Sequence, residues 1–229
     1  MEQNLILKQS TSTACGKCII VGEHAVIYNA YAVAVPLKNF KITLNLTPLS
    51  TNSQDKQYCL YMNDKQLPDH LVVLIKKAFQ ELNIRPQAIE IRAHSNLLVG
   101  GGLGSSASLC ISILKALADA AAITLTPEEL NTKANELEKI FHGNPSGLDT
   151  SVVASEKAIL FRRGKKPVPF ITKPLWINNK EYPWTFVLID SEERTATLTM
   201  IDKSRPFFTS PKQKTTIEDF NNCALMTKK

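Results

Sequence analysis

Gly100-Gly101-Gly102-Leu103-Gly104-Ser105-Ser106 runs directly into a long apolar segment, Ser105 to Ala122, and this junction decides the fold. Glycines let backbone amides come close to a ligand. A helix opening at two serines adds unpaired N–H donors and a partial positive charge. Together they form a phosphate cradle, and the serine hydroxyls can add contacts to phosphate oxygens or to a magnesium ion. The same residues can also be read as a flexible glycine loop before a buried helix, but the immediate helix start favours the anion site. Two other phosphate motifs are absent. There is no G-x-x-x-x-G-K-[ST], which excludes a P-loop enzyme. The glycines are not spaced G-x-G-x-x-G, and no acidic residue follows at dinucleotide-fold distance. The helix over Ser105–Ala122 is apolar almost all round, which places it at the centre of a core.

Upstream of the loop, Ile19-Ile20-Val21 and Tyr31 to Leu37 are β-rich runs that flank the turn-prone segment Gly22 to Asn29. Phe40 to Leu46 alternates as a strand with one wet face, and Ala88 to His94 alternates again. Between them, Asp69 to Leu82 has Leu71, Leu74, Ile75, Ala78, Phe79 and Leu82 at helical spacing. Downstream, Thr126-Pro127-Glu128-Glu129 is a helix start with a capping threonine, a proline in the first position and a capping-box glutamate. That helix turns Leu130, Ala134, Leu137, Ile140 and Phe141 inward and ends at His142. Gly143-Asn144-Pro145 breaks it, and Pro145 is placed to begin the next helix. Thr185 to Ile189 reads as a buried-type strand. From Lys203 the sequence is polar, with prolines at 206 and 211, and a weak helix follows from Thr216. The pattern is α+β, not a doubly wound alternation.

The 229 residues are 44% hydrophobic, enough for a buried core. The net charge of +6 comes from scattered lysines and arginines with only short runs, which argues against a nucleic-acid partner and suits an enzyme holding a phosphorylated nucleotide. Five irregularly spaced cysteines point to a reducing compartment rather than a disulfide framework. Met1 to Ser10 carries no positively charged region followed by an apolar run, so it does not read as a signal peptide, and no apolar stretch is long enough to span a bilayer. A soluble, cytoplasmic protein without a membrane partner is the expectation.

Phosphoryl transfer to an alcohol needs positioned phosphates, a metal ion, a cation for the developing charge and a carboxylate near the acceptor hydroxyl. Glu138 lies four residues before His142, so both project from one helical face. Asp149 falls in the first turns of the following helix, where the helix dipole favours its charge. Lys17 begins an apolar strand, and Glu23-His24 occupy the turn after it, beside glycine and proline punctuation where loops carry chemistry. Cys15-Gly16-Lys17-Cys18 has dithiol spacing, but it leads into a strand rather than a helix that would lower the thiol pKa. A zinc site would need a second pair, which Cys59, Cys110 and Cys223 do not supply.

Three stretches, in order, resemble the GHMP small-molecule kinases, in their mevalonate kinase branch. Ala14 to Val26, with its Gly-Glu-His-Ala-Val run, is similar to the first family motif. Gly100 to Ala107 is similar to the second, nucleotide-binding motif. His142-Gly143-Asn144-Pro145-Ser146-Gly147-Leu148-Asp149 resembles the segment bearing the catalytic aspartate. The resemblance covers roughly residues 12 to 200. It implies the GHMP kinase fold: a ribosomal-protein-like amino-terminal domain with a left-handed βαβ crossover, then part of a ferredoxin-like second domain. It also implies ATP and magnesium as cofactors, mevalonate as the small-molecule substrate, and 5-phosphomevalonate, an isoprenoid precursor, as product. Asp149 would take the proton from the primary hydroxyl, with Lys17 beside it. The amides of Gly100, Gly101, Gly102, Leu103, Gly104, Ser105 and Ser106 would wrap the ATP phosphates. Ser106 and Glu138 would bind magnesium, and Glu23, His24 and Thr195 or Thr197 would face the substrate. A homodimer is an assembly that the family often shows.

The family's second motif usually opens with prolines, where Leu98-Val99 stand here. It also carries a third glycine-rich motif in a carboxy-terminal domain, and no glycine follows Gly164. The expected organisation is therefore an ATP- and substrate-binding domain over 1–190 and the start of a truncated carboxy-terminal domain over 191–229. Two alternatives stay open: a GHMP kinase acting on a different small alcohol or phosphorylated acceptor, and a non-catalytic nucleotide-binding form.

Overall fold

The computed structural model describes residues 5–49, 58–68, 71–169, 175–177, 180–182, 187–189, 197–210 and 213–226. The chain divides into two compact units: Met1–Cys18 with Pro36–Glu156, and Ile19–Val35 with Lys157–Lys229.

The first unit is a sheet covered by helices. Its strands are the opening of β1 (Ser10–Val21), the later part of β2 (Ala32–Pro48), β3 (Tyr58–Met62), β4 (Lys65–Gln66) and β5 (Ile89–Ser95). The order β4-β3-β5-β2 has one parallel neighbour pair. β3 runs parallel to β5, from Tyr58 opposite Ile89 to Met62 opposite Ala93. The connection between them is α1 (Val72–Leu82), making a βαβ unit. β5 then pairs antiparallel with β2, Ile42 opposite Ser95 through Pro48 opposite Ile89. The alternation expected from Phe40 onward is present: Ile42, Leu44 and Leu46 are buried while their neighbours are not. Helix α1 buries Leu74, Ile75, Ala78, Phe79 and Leu82 and stops at Asn83, which turns left-handed.

At the centre is α2 (Ser105–Ala120), buried on nearly every side. It packs with α1, α3 (Pro127–His142) and α4 (Leu148–Ser155). Each large aliphatic side chain fully withdrawn from water here, Ile111 and Ile113 among them, contributes about 1.5–3 kcal/mol. α3 starts as the sequence requires: Thr126 Oγ1 accepts the Glu129 N–H, the Glu129 carboxylate accepts the Thr126 N–H, and Pro127 takes the first position. It ends at His142. α4 begins at Leu148 rather than at Pro145, because Gly147 caps it in a left-handed conformation and Ser146 Oγ accepts the Leu148 N–H.

Polar residues hold α2 against β1. Ser10 and Ser12 hydroxyls donate to the Ala116 and Ser112 carbonyls, both at 2.7 Å. The Ser108 hydroxyl reaches the Cys15 carbonyl at 2.7 Å and the Gly104 carbonyl at 2.9 Å. All four serines are buried. This seam fixes the start of α2 beside Lys17. Ser108→Ala leaves a buried carbonyl short of a donor and should cost about 1–3 kcal/mol, read as a lower urea midpoint at unchanged m-value.

In the second unit, Ala32–Ala34 of β2 pair with β6 (Ile159–Phe161), and β6 pairs with β7 (Val168–Pro169). β8 (Leu175–Ile177) and β9 (Lys180–Tyr182) form a separate antiparallel pair. Two helices follow, α5 (Thr197–Thr209) and α6 (Gln213–Met226). Phe208 stacks on Tyr28 at 4.6 Å and meets Phe220, and Tyr31 N–H donates to Asn221 Oδ1 at 2.7 Å. The expected strand over Thr185–Ile189 is not formed where it can be followed. Val187, Leu188 and Ile189 carry no strand and are exposed, while Thr185 and Phe186 lie outside the described residues. An apolar run becomes a strand only with an edge to bond, and the ladder of this unit runs through β6 and β7 instead. Among the described residues, no helix is long and apolar enough to cross a membrane.

Candidate active site

The loop between β5 and α2 is shaped by left-handed residues at every second position: Gly100, Gly102 and Gly104 have φ of 74°, 73° and 73°. Such alternation gathers successive N–H groups into an anion-binding concavity, and the first turn of α2 adds its own unpaired donors. Leu103 turns its side chain into the core while its carbonyl accepts the Lys17 N–H at 2.9 Å. Of the two positions that depart from the expected prolines, Leu98 packs against the core and Val99 is exposed.

Lys17 is 3% exposed. Its ammonium donates to the Gly102 carbonyl at 3.0 Å and lies 3.2 Å from Asp149 Oδ2. Asp149 sits in the first turn of α4 with its side chain 35% exposed. A buried cation thus joins the glycine loop to a carboxylate that remains open to a ligand. Gly104 makes room for this: a Cβ there would stand 2.8 Å from Lys17 Cγ, on a backbone at φ +73°. Gly104→Ala should therefore lose about 1–2 kcal/mol from the left-handed backbone alone and displace Lys17, lowering the melting temperature and weakening nucleotide binding in the same titration.

Glu138 lies next to this pair and is 2% exposed. Burial lifts its carboxyl to about 7, against the pull of the Ser106 hydrogen bond, with Asp149 raising it further and Lys17 lowering it. Its Oε1 is buried without a hydrogen-bond partner. His142 Nε2 is 3.5 Å from Glu138 Oε2 and 3.2 Å from Ser106 Oγ. The first is an ion-pair distance, yet burial lowers the His142 pKa while raising that of Glu138, so the contact is dipolar rather than a salt bridge.

An orphaned, desolvated carboxylate oxygen beside a serine hydroxyl is what a divalent cation would satisfy. Among the described residues no group of three or more His, Cys, Asp and Glu could hold a metal on its own. Magnesium keeps its waters and is held by one or two carboxylates together with substrate phosphates. Glu138 and Ser106 fit that part.

The structure thus brings together Lys17, Asp149, Glu138, Ser106 and the Gly100–Ser106 loop. It adds His142, which the sequence placed on the Glu138 face of the helix without giving it a part. Glu23 and His24 belong to the second unit. Glu23 is exposed, and its carbonyl accepts the Ala25 N–H. His24 holds φ +49°, a backbone state rarely taken by residues with a side chain. Thr197 is the first residue of α5, and Thr195 lies outside the described residues. Cys15 and Cys18 lie in β1 and form no disulfide. Burial pushes the Cys15 thiol up, with Glu156 adding to it, the opposite of a reactive dithiol.

Comparison with known proteins finds likenesses to one family of kinases. Residues 70–157 match the GHMP kinases N terminal domain. A mevalonate kinase of Pyrococcus horikoshii is 27% identical over 190 residues, which is 74% of this chain and 56% of that protein. The chain spans about half the length of the curated relatives it matches. The crystal structure of mevalonate kinase from methicillin-resistant Staphylococcus aureus superposes with a TM-score of 0.58 at 32% identity, over 73% of this chain and 58% of that one. That of L. major mevalonate kinase in complex with R-mevalonate gives 0.68 at 19% identity, over 99% and 70%. The α+β architecture is the one these enzymes share.

Proposed function

We propose, on the premise that the chain belongs to the GHMP kinases, that it transfers the γ-phosphoryl group of ATP to the primary hydroxyl of mevalonate, giving 5-phosphomevalonate. One observation carries this: Lys17 Nζ stands 3.0 Å from a carbonyl of the glycine loop and 3.2 Å from the half-open Asp149 carboxylate. Asp149 accepts the proton of the attacking hydroxyl. Lys17 holds that carboxylate in place and offsets charge on the phosphoryl group as it moves. The loop amides and the start of α2 hold the nucleotide phosphates in line with the acceptor. Glu138 and Ser106 would hold magnesium, which when bound neutralises charge on the phosphate oxygens. Glu23, His24 and the threonines at 195 and 197 are proposed to face the acceptor, and the left-handed His24 is the kind of strain that functional turns retain.

Mevalonate is favoured because the named relatives are mevalonate kinases and one neighbouring structure holds R-mevalonate. The test is ADP release by this chain with ATP and magnesium, offering mevalonate, phosphomevalonate or galactose in turn. Release with mevalonate alone supports the reading. Release only with another acceptor moves the protein to a different branch of the family, and nucleotide binding without release in any case identifies a non-catalytic form.

A further inference from the structure

His142, the last residue of α3, is absent from the mechanism above, yet it contacts both side chains proposed to hold magnesium. Its Nε2 lies 3.2 Å from Ser106 Oγ and 3.5 Å from Glu138 Oε2. Counting protons settles the directions. A carboxylate only accepts, and a serine hydroxyl has one proton to give. Nε2 faces Glu138 Oε2, which can only accept, as well as Ser106 Oγ, which can accept, so Nε2 carries the hydrogen and Nδ1 does not. One Oγ lone pair then remains for a cation. The carboxylate is divided in the same way: Oε2 faces the imidazole, while Oε1 is buried and unpartnered. Because Glu138 and His142 lie four residues apart on α3, the helix fixes their spacing, and Ser106 in the first turn of α2 closes the triangle.

We propose that His142 is a positioning residue for the cation site: as the Nε2–H tautomer it donates to Ser106 and so presents one Ser106 lone pair and Glu138 Oε1 to a divalent ion. The proposal rests on the assignment of Ser106 and Glu138 as the metal-holding pair. Orienting partners of this kind change metal affinity by 10–100-fold when removed.

Two measurements test it. The first is manganese binding in the presence of ADP, followed by electron paramagnetic resonance, for the parent chain, His142→Leu and His142→Gln. The parent should bind. His142→Leu should weaken binding at least about tenfold, and His142→Gln, whose amide can still donate, should restore most of it. Equal binding by His142→Leu overturns the proposal, as does a His142→Gln variant no better than His142→Leu. The second is the imidazole tautomer by nitrogen-15 NMR at pH 8 on the parent chain, which needs no variant to fold. A protonated Nε2 that loses its preference in Ser106→Ala supports the proposal, and a protonated Nδ1 overturns it. A parent that binds no manganese refutes the metal-holding pair instead, and the tautomer still decides the part played by His142.

Discussion

Asp149→Asn is expected to lower phosphoryl transfer to mevalonate by roughly 10²–10⁴-fold, the usual contribution of a positioned general base, while the chain stays folded and still binds nucleotide. The amide is isosteric with the carboxylate and still offers an oxygen to Lys17 Nζ, now 3.2 Å from Asp149 Oδ2, but it cannot take a proton. Lys17 keeps its bond to the Gly102 carbonyl, so the loop should hold its shape. The ammonium is left buried without a counter-charge, which should appear as a modest fall in melting temperature. An effect on the Michaelis constant alone, with kcat unchanged, would assign Asp149 to binding rather than to proton transfer.

The second large effect is at Glu138, where stability and chemistry oppose each other. Burial raises its carboxyl from 4.5 to about 7. A carboxyl whose folded pKa lies above its unfolded value binds its proton more tightly in the fold. Its stabilising contribution is therefore complete below about pH 4.5 and is lost as the pH rises through 7. Without a cation, the ionised side chain weakens the fold at pH 8 by on the order of 3 kcal/mol. Glu138→Gln removes that penalty, so the variant should melt above the parent at pH 8 and close to it at pH 4. Added magnesium and ATP should raise the parent's melting temperature at pH 8 much more than the variant's, because only the carboxylate rewards the ion. Magnesium affinity in the parent should fall as the pH drops below 7. Melting curves at the two pH values, with and without magnesium and ATP, check all of this. A variant indistinguishable from the parent under every condition would place the ion elsewhere.

Local chemistry made some of this structure legible in advance. The start of α3 could be read to the residue because its cap is formed by four consecutive side chains and backbone groups. The glycine loop and α2 were also legible, since left-handed turns and a wholly buried helix leave unmistakable composition. The polar run Ser10 to Thr13 concealed the first half of β1: its serine hydroxyls bond carbonyls of α2, a partner about 100 residues away that no local pattern records. α5 was missed because Pro206 reads as a breaker, whereas the helix accommodates it near its end. Val187 to Ile189 misled in the opposite sense, an apolar run without a ladder.

The site shows the same division. Spacing put Glu138 and His142 on one face, but nothing in the spacing of Lys17 and Asp149 says that they meet. That pairing could be expected only through family resemblance; in the structure the two groups lie 3.2 Å apart. The contact of His142 with Ser106 is a long-range closure between two helices, visible only once α2 and α3 are packed.

The most direct test of the central claim is a phosphorus-31 NMR time course of this chain with ATP, magnesium and mevalonate. The expected result is loss of the γ-phosphate resonance matched by equal growth of ADP and of one phosphate monoester, with no growth in Asp149→Asn. Unchanged ATP, or inorganic phosphate in place of the ester, would contradict it.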